Sequence, residues 1–283
     1  MDYHRFDQAE GLRRMLGVPK QRVHTFWSAG RHKNRKHVLH NLAASLVYSG
    51  RSVILFDATC SEEGAGFYGH APQSGVTLLD VMNNRSAPED VCNRTPMGFD
   101  IVRLARSPSE IVEKTVFRNS LDQLLEAVTA DADIVMVDAR LDRRDDFVPG
   151  IIGSSEMNLV VEISKNSNRE TSNSILGAYS LMKRLANRFG RIPFGVLVSG
   201  VDEAQSQTVF GNMEQIASEK VALQLHFLGH VPQDEDMVRA AGLGRSVIDA
   251  FPMALSAYAF RRIAGAFIQA GAPVQTVYEM AGA

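Results

Sequence analysis

The chain has 283 residues, of which 45% are hydrophobic and 22% charged, the balance of an ordinary globular protein and neither a disordered nor a fibrous one. Thirty basic against 32 acidic side chains leave a formal net charge of −2, so bulk charge gives no reason to expect direct nucleic-acid binding. Two cysteines, Cys60 and Cys92, exclude a disulfide framework and a CxxC metal pair and fit a reducing compartment.

The opening MDYHRFDQAE lacks the basic-then-apolar build of a secretory leader. No stretch nears the ~18 uninterrupted apolar residues of a membrane span, so a cytoplasmic protein is expected. Asp7-Gln8-Ala9-Glu10 has the form of a capping box, and Ala9, Leu12 and Leu16 recur at helical spacing with Arg13 and Arg14 on other faces. Gly17-Val18-Pro19 stops that helix, because a proline disfavours helical geometry in the residue before it. A helix of ~10 residues is marginal alone in water and needs a docking surface, on its own domain or on a partner. Residues 1–20 therefore read as a helix and tether, and 21–283 as one domain.

From Val23 onward, short apolar runs alternate with helical patterns. Strands are expected at Val23 to Trp27, Ser52 to Phe56 (closing on Asp57), Phe99 to Leu104, Asp133 to Val137 (closing on Asp138), Met157 to Ile163, Phe194 to Ser199 and Leu225 to Leu228. Helices are expected at Lys36 to Tyr48, Ser120 to Ala130, Ser172 to Asn187, Met213 to Lys220 and Met253 to Ala270. Runs such as VILF, IVMV and GVLV are near-continuous, as strands covered on both faces must be. The fold class is α/β: a doubly wound, mostly parallel sheet with helices on both faces.

Ligands of such sheets bind outside the carboxyl ends of the strands. The first strand runs into Ser28-Ala29-Gly30-Arg31-His32-Lys33-Asn34-Arg35-Lys36-His37 and then directly into a helix. A phosphate-binding loop reads GxxxxGK[ST], its glycines letting backbone N–H groups wrap the phosphates and its hydroxyl serving Mg²⁺. Gly30 and Lys36 keep that spacing, but Arg35 stands for the second glycine and His37 for the Ser/Thr. Asp57 and Asp138 close the next strands, the latter where a Walker-B carboxylate belongs.

This order and spacing resembles the MinD/ParA group of deviant-Walker ATPases and, within it, the FlhG/FleN family of flagellar-number regulators. The segment DQAEGLRRML, Asp7 to Leu16, matches that family's DQAxGLR signature. The family's KGGVGKT loop falls on Arg31 to His37, its DAD on Asp57-Ala58-Thr59, its DTxAG on Asp138-Ala139-Arg140, and its LGxIPxD on Leu228 to Asp234, which includes Pro232. The resemblance implies a P-loop NTPase fold. It also implies a site for ATP at Gly30, Arg31, Lys33, Arg35, Lys36, His37, Asp57, Asp138, Pro232 and Asp234. It further implies docking of the first helix on an FlhF-like GTPase through Asp7, Gln8, Leu12, Arg13 and Leu16, with Gln8 near the partner's nucleotide. A flagellar transcription regulator and a second copy of the chain are further partners it implies, at the membrane or cell pole.

The departures bear on the chemistry. Arg31 offers the charge of the lysine that opens the family's loop, but Thr59 has no carboxylate to position an attacking water. His37 is not the oxygen ligand that Mg²⁺ takes. Phosphoryl transfer depends on positioning and charge stabilisation, so weak or absent hydrolysis is expected and Mg²⁺ is not counted on. For the basic run Arg31, Lys33, Arg35 and Lys36, phosphate capture by charge at a helix N-terminus stands beside a solvated or partner-facing surface. Two rivals to the flagellar regulator follow. One is an active ATPase switch that dimerises on ATP, and the other a nucleotide-free scaffold for DNA or an acidic protein surface.

Of the rest, Cys60 and Cys92 read as small buried hydrophobes, and His32, His37 and His40 lack partners at zinc spacing. The run Asp142 to Asp146 reads as a solvated loop. The last strong helix has Leu255, Tyr258, Ala259, Ile263, Ala266 and Phe267 as its expected core face, with Arg261 and Arg262 outward. Beyond it, Pro273 to Met280 carries no Lys or Arg to favour an anionic membrane, so stable membrane contact is not expected.

Overall fold

The computed structural model describes residues 21–28, 34–67, 75–111, 118–141, 148–163 and 168–269. In chain order the strands are β1 (Arg22–Ser28), β2 (Val53–Asp57), β3 (Asn93–Arg94), β4 (Asp100–Arg103), β5 (Ile134–Ala139), β6 (Glu156–Glu162), β7 (Phe194–Ser199) and β8 (Leu225–Val231). The helices are α1 (Arg35–Tyr48), α2 (Leu78–Met82), α3 (Arg118–Thr129), α4 (Gly150–Gly153), α5 (Asn168–Phe189), α6 (Glu203–Val221), α7 (Glu235–Gly242), α8 (Val247–Ala250) and α9 (Leu255–Gln269).

The strands form one sheet in the order β3-β4-β2-β5-β1-β6-β7-β8. Every pairing is parallel except the two-residue β3 against β4. The chain winds to one side of β1 through β5 and to the other from β6 on, so the switch point of a doubly wound sheet lies at β1. The α/β architecture expected from the sequence is the one observed.

Successive side chains on a strand face opposite ways, and the core divides accordingly. Trp27, Phe56, Val135, Val137, Leu159 and Phe194 pack on one face with α2, α3, α5 and α6. Phe26, Leu55, Met136, Val160 and Leu197 pack on the other with α1, α7, α8 and α9. Helix α1 lies between sheet and helices and is buried almost all round, with Val38, Leu39, Leu42 and Leu46 inward as their spacing predicts. Asn41 Oδ1 there accepts from the Val247 amide at 2.7 Å and joins α1 to α8.

Several boundaries differ from the sequence expectation. Helix α6 begins ten residues earlier than Met213, because Asp202 caps it by accepting from the Gln205 amide; its first half is mostly exposed and carries little apolar periodicity. Strand β8 runs on to Val231, with a register shift against β7 between Val196 and Leu197. On α9, Leu255 and Tyr258 are exposed, 72% and 61%, as is Ala266, and the buried stripe is instead Ser256, Ala257, Ala259, Phe260, Ile263, Ala264 and Phe267. Those residues face α1 and β8, whose position no local spacing reveals. Cys60 is buried as expected, whereas Cys92 is exposed, beside the sheet-edge strand β3. No described helix is long and apolar enough to cross a membrane.

Candidate functional site

Alternation dictates where the two strand-end carboxylates point. Leu55 and Met136 belong to the α1 face of the sheet, so Asp57 and Asp138, two residues further on, share that face. The register of β2 against β5 sets Asp57 directly opposite Asp138. Neighbouring strands lie about 4.8 Å apart, so two carboxylates stand side by side, 2% and 0% exposed. Like charges so placed repel one another, and burial removes the water that would screen them. The surrounding chain supplies the compensation.

Asp138 forms an ion pair with the guanidinium of Arg35, which is itself 7% exposed and also donates to the Ala139 carbonyl at 3.1 Å. Its other oxygen accepts the Ala65 amide at 2.8 Å. Asp57 Oδ1 accepts from the Thr59 amide at 2.8 Å and the Thr59 hydroxyl at 2.6 Å, and Oδ2 from the Gly66 amide at 2.7 Å. All four carboxylate oxygens are thus engaged by groups of this chain. The donors come from α1 and from the loop after β2, residues 58–67, which folds back over the carboxyl ends of the strands.

Three further contacts fasten that loop. His40 Nε2 lies 2.6 Å from the Ala65 carbonyl; a carbonyl only accepts, so this nitrogen carries the proton. Arg140 pairs with Glu63 at 3.6 Å, and the Arg103 guanidinium lies over the Phe67 ring at 4.2 Å. Gly64 and Gly66 permit the close approach. A β-carbon on Gly64 would stand 2.1 Å from Thr59 Oγ1, and one on Gly66 2.5 Å from Asp57 Oδ2.

Titration of the nearby groups follows from burial. Loss of water pushes the His40 imidazole down to about 3, against a smaller raising by the Ala65 carbonyl. His37 is lowered by burial first and then by the charge of Lys36, so at neutral pH it offers a neutral imidazole. The buried Cys60 thiol is pushed up to about 12, by loss of water and then by Asp57, which makes it inert as a nucleophile.

The expected site residues are therefore only partly assembled. Arg35, Asp57 and Asp138 come together, with half-buried Lys36 and His37 in the same first turn of α1. Asn34, just before that turn, donates to Glu162 Oε1 at the end of β6, 2.8 Å away. Pro232 and Asp234 follow β8, four strand positions from β5, or roughly 19 Å across the sheet at 4.8 Å per strand. Asp234 is spent on structure: it caps α7 through the Asp236 amide at 2.9 Å and accepts from the Ser256 amide and hydroxyl at 2.9 and 2.7 Å. Burial alone would raise its pKa, but these bonds outweigh it and hold the carboxyl below its usual range. Gly30, Arg31 and Lys33, the N-terminal Asp7, Gln8, Leu12, Arg13 and Leu16, the Asp142–Asp146 run and the tail after Gln269 lie outside the described residues. Sequence reasoning missed Thr59 as a ligand of Asp57, and it missed Ala65, Gly66 and His40. The paired glycines Gly64 and Gly66 were the one available signal.

Two of the groups an Mg²⁺ site of this fold would draw on are altered or engaged here. The cation asks for oxygen ligands, yet His37 replaces the hydroxyl and Arg35 already neutralises Asp138. Phosphate groups are a separate matter, since the N-terminus of α1 with Lys36 retains the polarity that attracts anions.

No protein-family model matches the chain. It is 28% identical over 233 residues to the antiactivator FleN of Pseudomonas aeruginosa PAO1, covering 81% of this chain and 80% of that protein. Among solved structures it is similar to a ParA family ATPase from Chlorobium tepidum TLS, with TM-score 0.64, 18% identity, 86% of this chain and 97% of that one. It is also similar to MinD of Pyrococcus horikoshii OT3 complexed with Mg-ADP, with TM-score 0.57, 14% identity, 90% of this chain and 100% of that one. The sheet order, the switch point at β1 and these likenesses give the chain a MinD/ParA-like fold, with a similarity to FleN that runs over four-fifths of its length, in agreement with the resemblance to FlhG/FleN-type proteins read from its sequence.

Proposed function

We propose that this protein regulates flagellar number and placement by binding partners and that its own ATP hydrolysis is weak or absent. In this reading residues 1–16 dock on an FlhF-like GTPase and Gln8 helps orient the attacking water of GTP hydrolysis, a role side-chain amides serve in other GTPases. The α/β domain offers surfaces for a flagellar transcription regulator and for a second copy of the chain, in the cytoplasm or peripherally at the cell pole. What carries the proposal is a FleN relationship over four-fifths of the chain, joined to a catalytic position where Arg35 is salt-bridged to Asp138. ATP remains a candidate ligand through α1 and Lys36, because the fold is that of nucleotide-binding proteins.

The test is GTP turnover by an FlhF-type GTPase with the full chain and with its Gln8→Ala variant. Stimulation by the wild type and loss of most of it in the variant are expected. No stimulation, or an equal effect of both proteins, refutes the docking role. The rival ATP-driven switch is favoured by the likeness to an Mg-ADP-bound MinD. Calorimetry with ATP and Mg²⁺ decides on it, since that switch requires binding heat and dimerisation at millimolar nucleotide.

A further inference from the structure

We infer that Arg35 is a built-in counter-ion that takes the place of a divalent cation, closing the Asp57–Asp138 pair to metal and latching residues 58–67 over it without nucleotide. This deepens the hydrolysis half of the proposed function and is independent of the FlhF half.

Two in-register carboxylates at the carboxyl ends of adjacent parallel strands, both buried, need positive charge and hydrogen-bond donors. A metal centre would meet that need with an ion. Here the charge comes from residue 35, at the position where a phosphate-binding loop places a glycine so that backbone can approach phosphate. The guanidinium reaches across to Asp138 and the Ala139 carbonyl, a fixed fork that a lysine does not provide. The remaining donors are backbone amides of Ala65 and Gly66 and the Thr59 pair. The Thr59 pair is local to Asp57, but the Ala65 and Gly66 amides bind the carboxylates only while the loop is folded back, so ion pair and closed loop support each other. His40 belongs to the same latch, because it holds the carbonyl of Ala65 while the amide of that residue holds Asp138. In a nucleotide-driven switch, cation and phosphate would order such a loop on binding. In this chain the order is intrinsic.

Thermal melting of the full-length chain without nucleotide, with MgCl₂ titrated to millimolar concentration at matched ionic strength, tests the assignment. The wild type is expected to melt at the same temperature with and without Mg²⁺. Arg35→Ala leaves the buried Asp138 without its counter-charge beside Asp57; a loss of roughly 5–10 °C is expected, partly recovered on adding Mg²⁺. Arg35→Ala/Asp138→Asn removes the excess charge, so it should melt above the single variant and ignore Mg²⁺. A wild-type melting temperature that rises with Mg²⁺ overturns the inference, as does an Arg35→Ala protein indifferent to the metal. Should Arg35→Ala fail to fold, the double variant decides: folding supports the counter-ion role and failure to fold refutes it. None of these readouts involves a GTPase, so the outcome is separable from that of the docking experiment.

Discussion

Acid should unfold this protein by way of two buried imidazoles. His40 sits at 2% exposure on α1 with its ring against Phe99, and His24 at 1% on β1 beneath Phe267 of α9. Burial pushes them to about 3 and about 4, from the 6.5 that each regains on unfolding. Below pH 6.5 each of these two histidines binds a proton in the unfolded chain that the folded chain refuses. Stability is therefore complete above about pH 7 and falls as pH drops toward the folded values, by about 1.4 kcal/mol per unit and per histidine. Between pH 7 and pH 5 this comes to about 2 kcal/mol each, or about 4 kcal/mol together, a large part of the ~5–15 kcal/mol that holds a domain. Glu156, 3.4 Å from His24 Nδ1, and Arg22 act on His24 in opposite senses, whereas Lys36, and His37 once it is protonated, both oppose protonation of His40. His40 therefore gives the cleaner test. Urea denaturation at both pH values should show His40→Gln losing about 2 kcal/mol less stability on acidification than the wild type. A glutamine amide still has an N–H to offer the Ala65 carbonyl. An acid-induced loss of the same size in both proteins would refute the assignment of a neutral, Nε2-protonated ring.

Two further perturbations test the site and its frame. Gly66→Ala would place a β-carbon 2.5 Å from Asp57 Oδ2 and 2.8 Å from Arg103 Cγ. It should cost about 1–3 kcal/mol in urea denaturation and open residues 58–67 to limited proteolysis, and unchanged proteolysis would mean the loop is not held by Asp57. Asp234→Ala removes the cap of α7 and leaves the buried Ser256 hydroxyl without its acceptor. A loss of about 2–4 kcal/mol by urea denaturation is expected, and a loss below about 1 kcal/mol would show that α9 starts without it.

Particular residues show how much of this was legible beforehand. The strands closing on Asp57 and Asp138 were readable because buried parallel strands are near-continuous runs of apolar side chains that stop abruptly at a carboxylate. The departure from a phosphate-loop pattern was readable too, since Arg35 in place of its second glycine and His37 in place of its hydroxyl are local facts. Helix α9 was readable as a helix but not in its facing: Leu255 and Tyr258 looked like core and are exposed. Its start was also hidden, because the group that accepts from Ser256 is Asp234, 22 positions earlier, rather than a local cap.

Local chemistry in the chain decides which segments become strands or helices and where the sequence departs from a phosphate-loop motif, for those outcomes depend on neighbours a few positions apart. What the residues at those positions do is decided only in three dimensions. Parallel pairing sets Asp57 against Asp138, and α1 carries Arg35 to a carboxylate 103 positions away in sequence (138 − 35). Charge compensation acts through space at a few ångströms, so its partners are chosen by strand order and helix placement rather than by adjacency along the chain.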